Sequence, residues 1–130
     1  MAILAAVDRP VLVDALRRAW GPDTCAPEDR ERWTPENPAT GQCITVVLVV
    51  HDALGGSLVR AEVRHEGRLV DYHWWNRLPG GEELDLTREQ FRAGEQLLDP
   101  VEIARPSDPG RVRERYEALC TRTEELLGRA

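Results

Sequence analysis

In the segment DRPVLVDALRRAW, Val11, Leu12, Ala15, Leu16, Ala19 and Trp20 recur at helical spacing. That period predicts an amphipathic helix with one buried face. Asp8 stands where a cap is needed, Pro10 suits a first turn, and Gly21-Pro22 stops the pattern. From Gly21 to Thr40 the chain is rich in Pro, Asp, Glu, Asn and Thr, with Trp33 as its large apolar anchor. This reads as a long ordered loop, a kind of segment that often carries function.

The apolar run GQCITVVLVVHDALGG follows, over residues 41–56. Its β-branched centre has strand propensity, whereas its length and the Gly55-Gly56 terminator suit a helix. The expectation adopted is a fully buried helix beginning at Cys43. Beyond it, SLVRAEVRHEG and RLVDYHWWNRL alternate as strands, and ELDL is a third short strand. An antiparallel sheet over 57–64, 69–77 and 82–86 results. TREQ has the spacing of a capping box and starts another helical turn. In the tail, Val112, Tyr116, Leu119, Cys120, Thr123, Leu126 and Leu127 share one side of a closing helix that Ser107 or Asp108 caps. The whole is an α+β arrangement in which a buried central helix packs on a small sheet between N- and C-terminal helices.

At 130 residues and 42% hydrophobic, with a mean hydropathy of -0.45, the chain is the size of one domain, taken as residues 1–130. All 17 basic residues are arginine, which suggests a GC-rich bacterial genome and excludes lysine-based covalent catalysis. The net charge is -6, and the arginines are interleaved with acids, so no basic stripe for nucleic acid is present. Neither a positively charged leader nor a long apolar span is visible, which makes the cytoplasm the default location and a membrane partner unexpected. The three cysteines, at 25, 43 and 120, are widely spaced and odd in number, as reduced thiols are.

The chemistry sits in HWWNRLPGGEELDLT, residues 73–87. With a three-residue loop at Leu78-Pro79-Gly80 and Gly80 left-handed, Arg77 pairs with Gly81 and His73 lies opposite Asp85 on the same sheet face. A four-residue loop would put the two on opposite faces. A carboxylate so placed orients an imidazole and stabilises its charged form. If Cys43 opens a helix, the amides and macrodipole there favour its thiolate. Cys43, His73 and Asp85 then have the roles of nucleophile, base and orienting group in acyl transfer.

Gly41-Gln42-Cys43, Asp52-x-x-Gly55-Gly56, His73-x-Trp75-Asn76-Arg77-Leu78-Pro79 and Asp85-Leu86-Thr87 resemble the YunG family of small bacterial proteins, from Trp20 to about Phe91. Trp74, where that family more often has Tyr, and Gly80, where it more often has a polar residue, depart from it. More distantly, Cys at a helix start followed by His-x-Trp and Asp resembles the transglutaminase-like and NlpC/P60 branches of the papain-like cysteine superfamily. That resemblance implies a papain-like core and a side-chain oxyanion donor upstream of the nucleophile. Asn37 and Gln42 are the candidates, and Asn76 is a candidate partner for His73 or Asp85. Trp75, on the strand face of His73, joins Trp33 and Cys25 as a candidate wall of the substrate pocket. Trp74 and Tyr72 are assigned to the core, and Cys120 to packing.

The leading expectation is a cysteine-dependent hydrolase or acyltransferase acting on the amide or ester of a small molecule or peptide, without a cofactor. A non-catalytic papain-like domain that binds a peptide or metabolite is the alternative. A metal site built from Cys25, Cys43, His73 and Asp85 lacks any CxxC or HxxxH pair to support it.

Overall fold

The computed structural model describes residues 8–91 and 93–128. The fold is α+β: helices α1 (Arg9–Ala19), α2 (Cys43–Leu54) and α3 (Arg113–Gly128) flank an antiparallel sheet. Its strands are β1 (Ser57–His65), β2 (Arg68–Arg77), β3 (Glu83–Leu84) and β4 (Glu95–Ile103), in the order β3-β2-β1-β4. Short 3₁₀ turns cover Pro27–Arg32, Arg88–Gln90 and Gly110–Val112. No helix among the described residues is long and apolar enough to cross a membrane.

The apolar run at the centre of the sequence is helix α2, and its length explains why helix wins over strand. Thr45 to Val50 are all buried, a continuous wall that only a central helix, packed on more than one side, can satisfy. Val46, Val49 and Val50 meet Leu12, Leu16 and Ala19 of α1 and Leu119 and Cys120 of α3. Val47 and Leu48 pack on Leu58 of β1. Each fully buried aliphatic side chain here contributes about 1.5–3 kcal/mol of transfer free energy.

The C-terminal end of α2 is tied down by polar contacts. Arg105 Nη1 donates to Leu48 O at 3.1 Å, His51 Nδ1 at 3.0 Å and Asp52 Oδ1 at 2.6 Å, while Nη2 donates to the Tyr116 hydroxyl at 3.1 Å. Accepting at Nδ1 leaves the His51 proton on Nε2, which donates to Gly56 O at 3.1 Å. Asp52 therefore serves to join α2 to the β4–α3 connection.

Several expectations require correction. The edge strand β4 was not anticipated: its alternation is broken by Asp99 in the left-handed region (φ 55) and by Pro100, next to a register shift against β1. The β2–β3 turn is longer than expected, pairing Arg77 with Glu83 and Asn76 with Leu84. Leu78 N–H reaches Glu82 O at 2.7 Å, and Gly81 (φ 93), not Gly80, takes the left-handed position. Thr87 makes no side-chain cap to the turn that follows it. Val11 and Tyr72 are exposed, so Tyr72 does not belong to the core, whereas the half-buried Trp74 packs against Val47, Leu48 and Leu58 at its edge. In the 21–40 loop the fully buried anchors are Thr24, Cys25 and Ala39, whereas Trp33 is half-buried.

Candidate active site

Cys43 is the first residue of α2, where the opening amides have no partner within the helix and the dipole favours negative charge. The two residues before it hold it there. Gln42 is fully buried; its Nε2 donates to Gly21 O at 3.0 Å and its Oε1 accepts from the Thr24 hydroxyl at 2.7 Å. Gly41 has φ 69, and a Cβ there would lie 2.6 Å from Cys25 Sγ. The Gly-Gln-Cys sequence thus combines a close approach, a buried anchor and a half-exposed thiol.

His73 is fully buried on β2, opposite the small Ala61 of β1. Its Nε2 stands 2.7 Å from Asp85 Oδ2. The other Asp85 oxygen accepts the Thr87 N–H at 3.3 Å, which fixes the carboxylate just past the end of β3. The lengthened turn moves the pairing by two residues, an even number, so Asp85 keeps the sheet face of His73. The Cys43 side chain is a further hydrogen-bonding neighbour of the ring.

Burial opposes a charge on this ring, but the Asp85 hydrogen bond and the contact with Cys43 outweigh it and push the His73 pKa up to about 9. The ring is therefore an imidazolium at neutral pH. NMR observation of the His73 ring nitrogens should show a protonated ring through neutrality and a transition near pH 9. Asp85→Asn removes a raising influence and leaves the burial, so the transition should move to lower pH. A wild-type transition near the ordinary histidine value of about 6.5 would contradict this.

Trp75 stacks on the ring and Phe91 meets it edge to face, at centroid distances of 5.7 Å and 4.5 Å. Phe91 was not singled out from the sequence, where it is the lone phenylalanine after a turn signal. Helix α1 braces the loop that carries Asp85: Arg9 pairs with Glu82 at 2.6 Å, and Arg17 donates to Leu86 O at 3.2 Å and pairs with Glu89.

Cys43 opens on a cavity of about 630 Å³, whose wall includes Asn37, Tyr72, Trp74, Phe91 and Arg115. The expected walls lie elsewhere. Trp75 lines a separate hollow of about 370 Å³ with Asp85 and Arg88. Trp33 donates its Nε1 to Pro38 O at 3.1 Å, and Cys25 is packed under Gly41, fully buried. Tyr72 and Trp74 take the wall position instead, with Arg60 lying 4.7 Å and 5.7 Å from their ring centres.

The oxyanion candidates are also redistributed. Both polar ends of Gln42 are engaged away from the cavity. Asn37 does line it, but its Nδ2 donates to Glu89 O at 3.2 Å, leaving a buried Oδ1 without a partner. Asn76 touches neither His73 nor Asp85 in its hydrogen bonding; its Nδ2 donates to Val47 O at 3.0 Å and ties β2 to α2. Among the described residues, no three or more His, Cys, Asp or Glu side chains are grouped to hold a metal ion.

Compared with known proteins, the chain matches the family described as YunG protein over residues 9–128. A curated relative, the uncharacterized protein YunG of Bacillus subtilis (strain 168), is 36% identical over 62 residues, which is 48% of this chain and 49% of the relative. The chain thus spans about half the length of the curated relative it matches. No solved structure matches it.

Proposed function

The chain belongs to the YunG family, and from that premise, together with the site geometry, we propose that it is a cysteine-dependent hydrolase or acyltransferase with a papain-like core. Its substrates are amides or esters of small molecules or peptides, and it works in the cytoplasm. One observation carries the reading: a buried histidine, hydrogen-bonded to Asp85, has the Cys43 thiol as a neighbour, and Cys43 stands at a helix start that opens on a cavity.

The chemistry follows from those positions. The Cys43 sulfur attacks the substrate carbonyl carbon as the thiolate, with the proton held on His73. The first-turn amides of Cys43 and Ile44, free of partners within the helix, are the donors available to the developing oxyanion. His73 then gives its proton to the departing amine or alkoxide as the C–N or C–O bond breaks, leaving a thioester. Water or an amine attacks next; His73 takes its proton, and the thiolate leaves. Asp85 keeps the ring oriented throughout.

Intact-mass spectrometry after exposure to an activated ester tests this reading. The expected product is one acyl group on Cys43, absent in Cys43→Ala and much slower to form in His73→Ala. Acylation spread over other nucleophiles, or unchanged in Cys43→Ala, sinks it. A second reading, a papain-like domain that binds without reacting, is favoured by one observation: neither Asn37 nor Gln42 presents a free side-chain donor to the cavity. Reversible ligand binding with no acyl adduct would select it.

A further inference from the structure

Arg115 stands on the turn of α3 that faces the same cavity as Cys43, one helical turn beyond Arg111 and Val112. The residue is half-buried, and its Nη1 is buried with no hydrogen-bond partner among the described residues. A guanidinium carries five fixed donors and stays charged, so leaving a buried arm without an acceptor is unfavourable. The cavity carries four carboxylates, Glu28, Asp29, Asp71 and Glu95, and none of them is hydrogen-bonded to Nη1. Asp29 is committed to Arg32, and Glu28, the opposite charge that acts on Arg115 most strongly, is exposed and leaves Nη1 unpartnered. Burial accordingly depresses the Arg115 pKa despite Glu28.

The other arginines around the cavity differ in this respect. Arg32 is paired, and Arg111 is exposed to solvent. Arg115 alone among these three combines a buried, unpartnered donor with a position on the wall that also carries the nucleophile. A carboxylate is the ligand group that matches a guanidinium in charge and fork geometry, and it would discharge the unmet donor.

We infer that Arg115 binds a carboxylate of the substrate, so that the cavity selects acyl donors carrying a carboxylate in addition to the reacting carbonyl. The chemistry at that carbonyl rests on the hydrolase or acyltransferase reading, but the carboxylate site does not. In the acylation step the Cys43 sulfur forms a bond to the ester carbonyl carbon and p-nitrophenolate leaves, giving a thioester.

Two esters of equal chain length separate the ideas: the mono-p-nitrophenyl ester of glutaric acid, which carries a free carboxylate, and p-nitrophenyl valerate, which does not. Wild-type protein should acylate from the glutarate ester at least about tenfold faster, since a site built around a buried donor discriminates against an analogue lacking its partner. Arg115→Met should abolish that preference, bringing the glutarate rate down to the valerate rate measured in the same variant. Where Arg115→Met does not fold, Arg115→Lys decides: it keeps the charge but loses the fork, and the preference should fall several-fold. Equal rates for the two esters in wild type, or an unaltered preference in a folded Arg115 variant, overturn the carboxylate assignment while the acylation of Cys43 stands. If neither ester acylates Cys43, the catalytic reading fails and calorimetric titration with glutarate decides the site. Binding that is lost in the folded Arg115 variant supports it, and no binding to wild type overturns it.

Discussion

Iodoacetamide at about pH 6.5 should alkylate Cys43 at least about tenfold faster than Cys25 or Cys120, because Cys43 is half-exposed at a helix start beside the cationic His73. The other two thiols are poor competitors for a physical reason. Both are buried; burial raises the Cys25 pKa and pushes that of Cys120 up to about 11. His73→Ala should erase the Cys43 advantage at that pH by removing the cationic partner. Cys120→Ser should leave it intact, because Cys120 packs on the far side of the helical core. In turnover, Cys43→Ala should cost roughly 10⁴-fold or more, and Asp85→Asn a large part of that with little loss of fold, since an amide no longer fixes the charged ring. Peptide mapping by mass spectrometry over a pH series reads the labelling directly. A Cys43 rate indifferent to His73, or appreciable only above about pH 8, would defeat the nucleophile proposal in favour of the binding domain.

The second large effect concerns backbone packing at Gly56. Its φ is 85, and a Cβ there would meet Arg77 O at 2.1 Å and Leu78 Cα at 3.0 Å. Both obstacles are main chain, at the end of the strand that carries His73, and neither can rotate aside. Left-handed strain of about 1–2 kcal/mol adds to an overpacking cost of about 1–3 kcal/mol, so Gly56→Ala should lose roughly 3 kcal/mol or more. That is a large fraction of the 5–15 kcal/mol typical of a small domain. Two other glycines calibrate the result. Gly67 has φ 78 with nothing near its Cβ, so its alanine variant should show strain alone; Gly80 has neither a left-handed φ nor a neighbour and should change stability by less than about 0.5 kcal/mol. Urea denaturation of the three variants checks the order. A Gly56→Ala protein no weaker than Gly67→Ala would show that the close approach at Arg77 relaxes freely.

These two predictions draw on features that differ in how well the chain announces them. The α2 helix was legible because a long apolar run ended by paired glycines leaves little other than a buried helix, despite its β-branched centre. The common face of His73 and Asp85 was legible for a more fragile reason. Strand alternation fixes only parity, and a turn two residues longer than expected happens to preserve it. Strand β4 was not legible, since Asp99 and Pro100 interrupt its period and most of it is exposed. The cavity walls were hidden too. Whether Trp74 or Trp75 faces Cys43 depends on the twist of β2 and on how the 85–91 segment folds back, and adjacent tryptophans give no sequence signal to separate them. Arg115 was hidden most completely: what distinguishes it from the other cavity arginines is a buried Nη1 without a hydrogen-bond partner among the described residues, a property of its surroundings.

The stacking of Trp75 on His73 has an optical consequence. An excited indole passes an electron readily to a neighbouring imidazolium and poorly to a neutral imidazole, so Trp75, stacked at 5.7 Å and inclined by 29°, is a built-in quenching sensor of the ring's charge. The emission lost between wild type and Trp75→Phe isolates that indole from Trp20, Trp33 and Trp74. Its rise with pH would follow the proton on His73 in solution, without a label, a substrate or any turnover.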